Sequence, residues 1–246
     1  MINPQIKKIL EAGTLAPSGD NSQPWKFEMR GDTVRVMNLP QKDNPIFNYK
    51  QRGSFVAHGA LIENIVIYAS AFGYTAEPRI FPEGENSDIV ADITLTKKTP
   101  SIEPLCPAIF KRATNRKPYT ARALTHEERA ALTSSVEHIS GARLFFIEDA
   151  EKIKNLAEAV SLAEELMLQN REMHDYFFHH ICWTREEEEK NRSGLFVNTL
   201  ELAPLQLFIF KLLRYWSVAR ALGVLGFPKF IARENAKIYR DRKSVV

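Results

Sequence analysis

The sequence predicts an α+β fold. Three observations carry that expectation: apolar residues at helical spacing near the start, an alternating hairpin soon after, and a long stretch apolar on almost every face. The chain has 246 residues, of which 44% are hydrophobic and 26% charged. That is the balance of a soluble globular protein, long enough to bury a core without disulfide or metal staples.

The elements follow in order. Asn3-Pro4 reads as an N-cap with proline at the first helical position, and Ile6, Ile9, Leu10 and Leu15 then recur at helical spacing. The stretch Ala16-Pro17-Ser18-Gly19-Asp20-Asn21-Ser22-Gln23-Pro24-Trp25 holds two prolines and a glycine, which end the helix in an ordered loop. Lys26–Met29 and Val34–Asn38 read as a hairpin around Arg30-Gly31-Asp32. Phe55–Phe72 has only His58, Glu63 and Asn64 as clearly polar residues, so it reads as a buried helix that stops at Gly73. Ile89–Thr96 reads as a strand. The proline-rich segment Thr99–Pro107 reads as a linker between a first half, residues 1–100, and a second half, residues 108–246.

In the second half, Thr125-His126-Glu127-Glu128 is a capping box opening a helix toward His138. Ala142–Ile147 is expected to be a short strand, and Glu151–Phe178 one long helical stretch. The acidic run Glu186–Glu189 reads as a solvated helix face. Leu195–Phe227 is apolar and aromatic, with Pro204 expected to break or kink it. The end, Lys243–Val246, looks like the opening of a strand.

Charge and cysteine usage exclude several classes. The net charge is +3, which is no signal for nucleic acid, although residues 201–246 carry 9 basic against 3 acidic groups. Cys106 and Cys182 lack CxxC spacing, which argues against a thiolate metal site or a disulfide framework. The start, MINPQIKKIL, lacks the pattern of a signal peptide. No run of 18 apolar residues appears, so no bilayer span is expected. The expected location is cytoplasmic.

Two segments carry chemistry. Pro17–Trp25 places Ser18, Asn21 and Gln23 on a loop stiffened by proline, which suits hydrogen bonding to the edge of a planar heterocycle. A polar loop before a strand also serves purely structural ends. Arg112, Thr114 and Arg116 form an RxTxR pattern, and two guanidinium groups with a hydroxyl between them suit a phosphate. Taken alone, that pattern equally describes a solvated basic surface.

Together the two segments resemble the FMN-dependent nitroreductase family. APSGDNSQPWKF is similar to that family's APSxxNxQPWxF stretch, and RATNRKPY to its RxSxR stretch, with threonine in place of serine. The helix holding Gly59, Asn64, Ala69 and Gly73 is similar to the family's central buried helix. In ordinary members the arginine motif precedes the NxQPW loop; here the order is reversed. That reversal resembles the twin-domain, Acg-like branch, in which one chain stands in for the usual homodimer. The resemblance implies a mixed or antiparallel central sheet flanked by helices, in two related halves with the second incomplete.

It further implies FMN held by Arg112, Thr114 and Arg116 at the phosphate and ribityl chain. Pro17, Ser18, Asn21 and Gln23 would lie along the isoalloxazine. Arg52 is a further candidate contact, or else an ion-pair partner. No catalytic side chain and no metal are implied, because the flavin carries the electron transfer. The implied activity passes electrons from NAD(P)H to a small nitroaromatic or quinone-like acceptor; the alternative is a flavin-sequestering protein without turnover. The partners expected are a small-molecule substrate and a second copy in a homodimer, with no nucleic acid. Ala142–Ile147 has no second NxQPW loop before it, so one flavin per chain is expected.

The remaining features have bland explanations. His174, His179, His180 and Cys182 lack the spacing of a helical zinc pair and read as lid or core-boundary residues. Leu205–Phe227 carries Lys211, Arg214 and Arg220 among its aromatics. It reads as a flavin lid or subunit interface, with a membrane-surface helix as the less favoured alternative.

Overall fold

The computed structural model describes residues 2–43, 47–114 and 122–240. It is α+β and divides into two compact units. One comprises Met1–Asn115 with His180–Leu200, and the other Arg116–His179 with Glu201–Val246.

The first unit opens with α1 (Pro4–Gly13), where Asn3 Oδ1 accepts the Gln5 N–H at 2.8 Å. That bond satisfies one of the orphan donors of the first turn. Strands β1 (Trp25–Arg30) and β2 (Thr33–Asn38) form the expected hairpin, with Trp25 opposite Asn38. Helix α2 (Arg52–Ala69) follows, then β3 (Tyr74–Ile80) and β4 (Ile89–Lys97). The sheet is antiparallel throughout, in the order β1-β2-β4-β3. Strand β3 escapes the sequence pattern because Glu77, Pro78 and Arg79 break its alternation. Its edge position explains how it carries a proline. Between β2 and β4, Arg35 forks onto Asp92 with two bonds of 2.8 Å, and those bonds hold the Asp92 carboxyl below its ordinary range.

Helices α1 and α2 and one face of the sheet share one core, in which Ile9, Leu61, Ile65, Val34, Val36 and Ile93 are fully buried. Helix α2 buries one side only. Val56 and Glu63 lie on its exposed side, a correction to a helix expected to be buried all round. The stretch Tyr49–Phe72 is long and apolar enough to cross a membrane by length and composition, which the sequence expectation did not allow for. In this unit its Leu61–Ile65–Ala69 side packs inside the core. A 3-10 turn, Ser70–Phe72, continues α2 and ends at Gly73 with φ +70°, where a Cβ would lie 2.8 Å from the Lys98 carbonyl oxygen. The segment after β4 docks on the end of α2. Glu103 N–H donates to Ser70 Oγ, and α3 (Cys106–Lys111) buries Cys106 and Ile109.

In the second unit, α4 (His126–Glu137) starts at the Thr125 capping box as expected, with Thr125 Oγ1 and Glu128 bonding reciprocally. Residues 142–147 are not a strand: they run without a sheet partner, and Arg129 of α4 covers Phe146 instead. The expected single helix is two, α5 (Ala150–Gln169) and α6 (Arg171–His179). Asn170 divides them, because its extended backbone stops the first while its Oδ1 caps the Met173 N–H of the second.

The chain then returns to the first unit. Strand β5 (Ile181–Cys182) pairs in parallel with β6 (Leu195–Phe196), and between them lies α7 (Arg185–Asn191), which carries the acidic run and starts at a Thr184 capping box. The parallel pair was not foreseen, since two residues give no periodicity to read. The second unit ends with α8 (Pro204–Leu213), α9 (Trp216–Val224) and α10 (Phe227–Arg240). Pro204 opens α8 rather than breaking a helix, as suits a residue whose missing N–H would be unpaired there anyway. Helix α10 packs along α5, where Ala157, Ala232 and Ala236 are buried and Asn235 donates to Glu164. Lys243–Val246 lies outside the described residues.

Candidate functional site

The loop between α1 and β1 is strained and tightly held. Asp20, Asn21 and Gln23 take φ of +46°, +53° and +48°, a region that aspartate and asparagine tolerate better than glutamine. Such outliers persist only where the surroundings over-determine them. Here they do: Gln23 N–H donates to Ser18 Oγ at 3.0 Å, and Trp25 N–H to the Gln23 carbonyl at 2.9 Å. Leu39 N–H donates to the Pro24 carbonyl, which anchors the loop to the end of β2.

A segment far along the chain closes one side of this loop. Asn21 Nδ2 donates to the Gly194 carbonyl at 3.2 Å, and Gln23 Nε2 to the Arg192 carbonyl at 3.3 Å. Gly194 N–H donates back to the Asn21 carbonyl at 3.2 Å. The turn Arg192–Gly194 is the part of the site that sequence reasoning missed. No local signal marks it, beyond a glycine that follows α7.

One residue of the arginine motif reaches the chain just ahead of the loop. Arg112 follows α3 directly, and its guanidinium donates to the Leu15 carbonyl at 3.2 Å, two residues before Pro17. Arg112, Thr114 and Pro17 are exposed, whereas Ser18, Asn21 and Gln23 are half-buried. Arg116 lies outside the described residues. Arg52 is exposed at the start of α2, and its guanidinium lies over the Tyr49 ring, 5.7 Å from the centroid.

Beneath the loop lies a buried polar floor. Trp25 packs its ring against the edge of His58 at 6.0 Å. His58 Nδ1 meets the Ser54 carbonyl at 2.7 Å, which makes Nδ1 the protonated nitrogen of a neutral ring. His58 Nε2, Ser22 Oγ and Asn38 Oδ1 are buried and have no hydrogen-bond partner among the described residues. Asn48 fastens the start of α2, accepting the Gly53 N–H and donating to Ser54 Oγ and Asp43.

Burial pushes the His58 pKa below its ordinary value, and the bond to the Ser54 carbonyl only partly offsets this. The stability this supplies is fully present above the unfolded value of about 6.5, and it is lost as the pH falls through the lowered folded pKa. The melting temperature should therefore drop between pH 7 and pH 5. His58→Phe should remove that part of the pH dependence; an unchanged profile in the variant would assign it to another group.

His174 has a structural setting. His174 is buried in the second unit, with Nε2 2.7 Å from the Leu213 carbonyl and its ring against Phe178 and Trp216. Among the described residues, no three His, Cys, Asp or Glu side chains converge on one point. Helix α8 buries Leu213 and leaves Leu205, Phe208 and Leu212 exposed along one stripe.

No family model matches this chain. An uncharacterized protein of Mycobacterium tuberculosis is 23% identical over 221 residues, which is 89% of this chain and 30% of that protein. The chain thus spans less than a third of the length of the relative it matches. Two solved structures are similar at low level. A Clostridium acetobutylicum protein assigned as an NADH oxidase aligns with a TM-score of 0.33 and 19% identity, over 42% of this chain and 81% of its own. A Parabacteroides distasonis protein assigned as an NADH dehydrogenase/NAD(P)H nitroreductase aligns at 0.34 and 16%, over 51% of this chain and 86% of its own. Similarities of this size do not establish a shared fold.

Proposed function

We propose that the chain is an FMN-binding, nitroreductase-like oxidoreductase of the twin-domain, Acg-like type, passing electrons from NAD(P)H to a small nitroaromatic or quinone-like acceptor. The observation that supports this reading is the bond from Arg112 to the Leu15 carbonyl, two residues before Pro17 and within the same unit. The groups present fit such a ligand. Arg112 has N–H donors beyond the one bound to Leu15, and Thr114 adds an exposed hydroxyl, which together suit an anionic tail. Gln23 Oε1 accepts no bond among the described residues and suits the polar edge of a heterocycle.

In this reading the residues of the chain bind and orient, and the flavin, when bound, supplies hydride and electron transfer. Pro17, Ser18, Asn21 and Gln23 line the ring, while Arg112, Thr114 and Arg116 hold the phosphate. A small-molecule acceptor and a second copy of the chain are the partners this reading includes. Reconstitution tests it: protein incubated with FMN and freed of excess ligand should stay yellow, and anaerobic NADH or NADPH should bleach it. Protein that retains no FMN sinks the proposal. The alternative is a flavin-sequestering protein without turnover. Bound FMN that neither nucleotide bleaches would select it.

A further inference from the structure

The core of the first unit is open at one end. Where α1 begins, a cleft of about 880 Å³ separates its first turn from the ends of the strands. Ile6 forms the helix side of this cleft, and Met29 and Leu95 form the sheet side. Its volume falls in the range of about 300–1,000 Å³ that takes small molecules. The cleft is remote from the Pro17–Trp25 loop. In the β1–β2 hairpin, Trp25 pairs with Asn38 at the loop end and Arg30 with Thr33 at the cleft end. Six-residue strands put about 17–20 Å between the two ends.

Three polar groups stand around the cleft. In β4, Ala91, Ile93 and Leu95 alternate onto the core side and are all buried, and Lys97 is the next residue in that register. A charge is out of pattern on that face. Lys97 stands opposite Tyr74, the first residue of β3, which lines the cleft and is 8% exposed. A buried tyrosine usually finds a partner for its hydroxyl. Among the described residues Tyr74 Oη has none, and neither the Lys97 ammonium nor the carboxylate of Asp32, the third group, has an ion pair.

The two charges are spaced along the sheet. The Asp32 carbonyl accepts the Leu95 N–H at 2.9 Å, which sets Asp32 beside Leu95. Lys97 lies two residues further on, about 7 Å along the strand. The amine and carboxylate of an extended dipeptide stand about as far apart. We propose that this cleft binds a dipeptide with apolar side chains. Asp32 takes its ammonium, Lys97 and Tyr74 Oη take its carboxylate, and Ile6, Met29 and Leu95 pack on its side chains. A ligand with only one of the two charges leaves the other protein charge unanswered, so the pair selects a zwitterion. The inference stands apart from the FMN reading and uses none of its residues.

Isothermal titration with leucyl-phenylalanine tests it, beside N-acetyl-leucyl-phenylalanine, which lacks the ammonium, and leucyl-phenylalanine amide, which lacks the carboxylate. The free dipeptide should bind the unaltered chain at least tenfold more tightly than either derivative. Lys97→Ala should bring the dipeptide and its amide to equal affinity, and Asp32→Asn should do the same for the dipeptide and its N-acetyl form. Tyr74→Phe keeps the ring in the core, so it should weaken the dipeptide at least threefold with the melting temperature unchanged. Absence of saturable binding at millimolar dipeptide overturns the proposal, as do equal affinities for the three ligands in the unaltered chain. Affinity that survives unchanged in both Lys97→Ala and Asp32→Asn overturns the cleft as its place. Excess FMN should not displace the dipeptide; competition between them would assign it to the loop site and overturn the cleft equally.

Discussion

Arg112→Ala is expected to weaken FMN binding roughly ten- to a hundredfold, read by quenching of flavin fluorescence. A hydrogen bond to a charged group contributes about 1.5–3 kcal/mol, and each 1.4 kcal/mol is about tenfold in affinity. The fold should be little affected. Arg112 is exposed, and its bond to the Leu15 carbonyl is to a group that water reaches as well. The melting temperature of the variant is the control, and it should stay within a few degrees. Unchanged FMN affinity in a well-folded variant would remove Arg112 from the site. Arg112→Lys should recover only part of the loss, because an ammonium cannot make the paired bonds of a guanidinium.

Ile65→Ala is expected to destabilise the first unit by about 2–5 kcal/mol, the range for truncating a fully buried isoleucine. Ile65 is 0% exposed and lies where α2 meets α1. The same position explains Gly13. A Cβ on residue 13 would lie 2.7 Å from Ile65 Cγ1 and 3.1 Å from Cδ1, so Gly13→Ala alone should also be destabilising. Because Ile65→Ala removes both of those carbons, the two substitutions should not add: Gly13→Ala, Ile65→Ala should lose clearly less than the sum of the single losses. Denaturant titration of the four proteins measures this. Strict additivity would mean that the helices do not approach as closely as Gly13 permits.

The candidate site was legible only in pieces. The loop Pro17–Trp25 and the triplet Arg112, Thr114 and Arg116 were visible as residue types at short spacing. Their proximity was not, since the Arg112–Leu15 bond joins residues 97 positions apart. The partners of Asn21 and Gln23 were invisible for the same reason, lying more than 160 residues away in a turn with no distinctive composition. What they add is an anchor: one N–H of each amide is bound to a backbone carbonyl of the turn.

The sequence by itself determined the elements whose signals are local. Asn3-Pro4 sets the start of α1, the alternation of residues 25–38 sets the hairpin, Gly73 stops the helical turn that follows α2, and the Thr125 box sets the start of α4. Each rests on interactions within a few residues, which any fold would keep. Tertiary structure decided the rest. Residues 142–147 have a strand's composition but, among the described residues, no strand beside them to accept their hydrogen bonds. The two residues of β5 become a strand only because β6 lies alongside. The anchoring of the Asn21 and Gln23 amides depends in the same way on the Arg192 and Gly194 carbonyls, because a hydrogen-bonding group has no fixed role until its partner is in place.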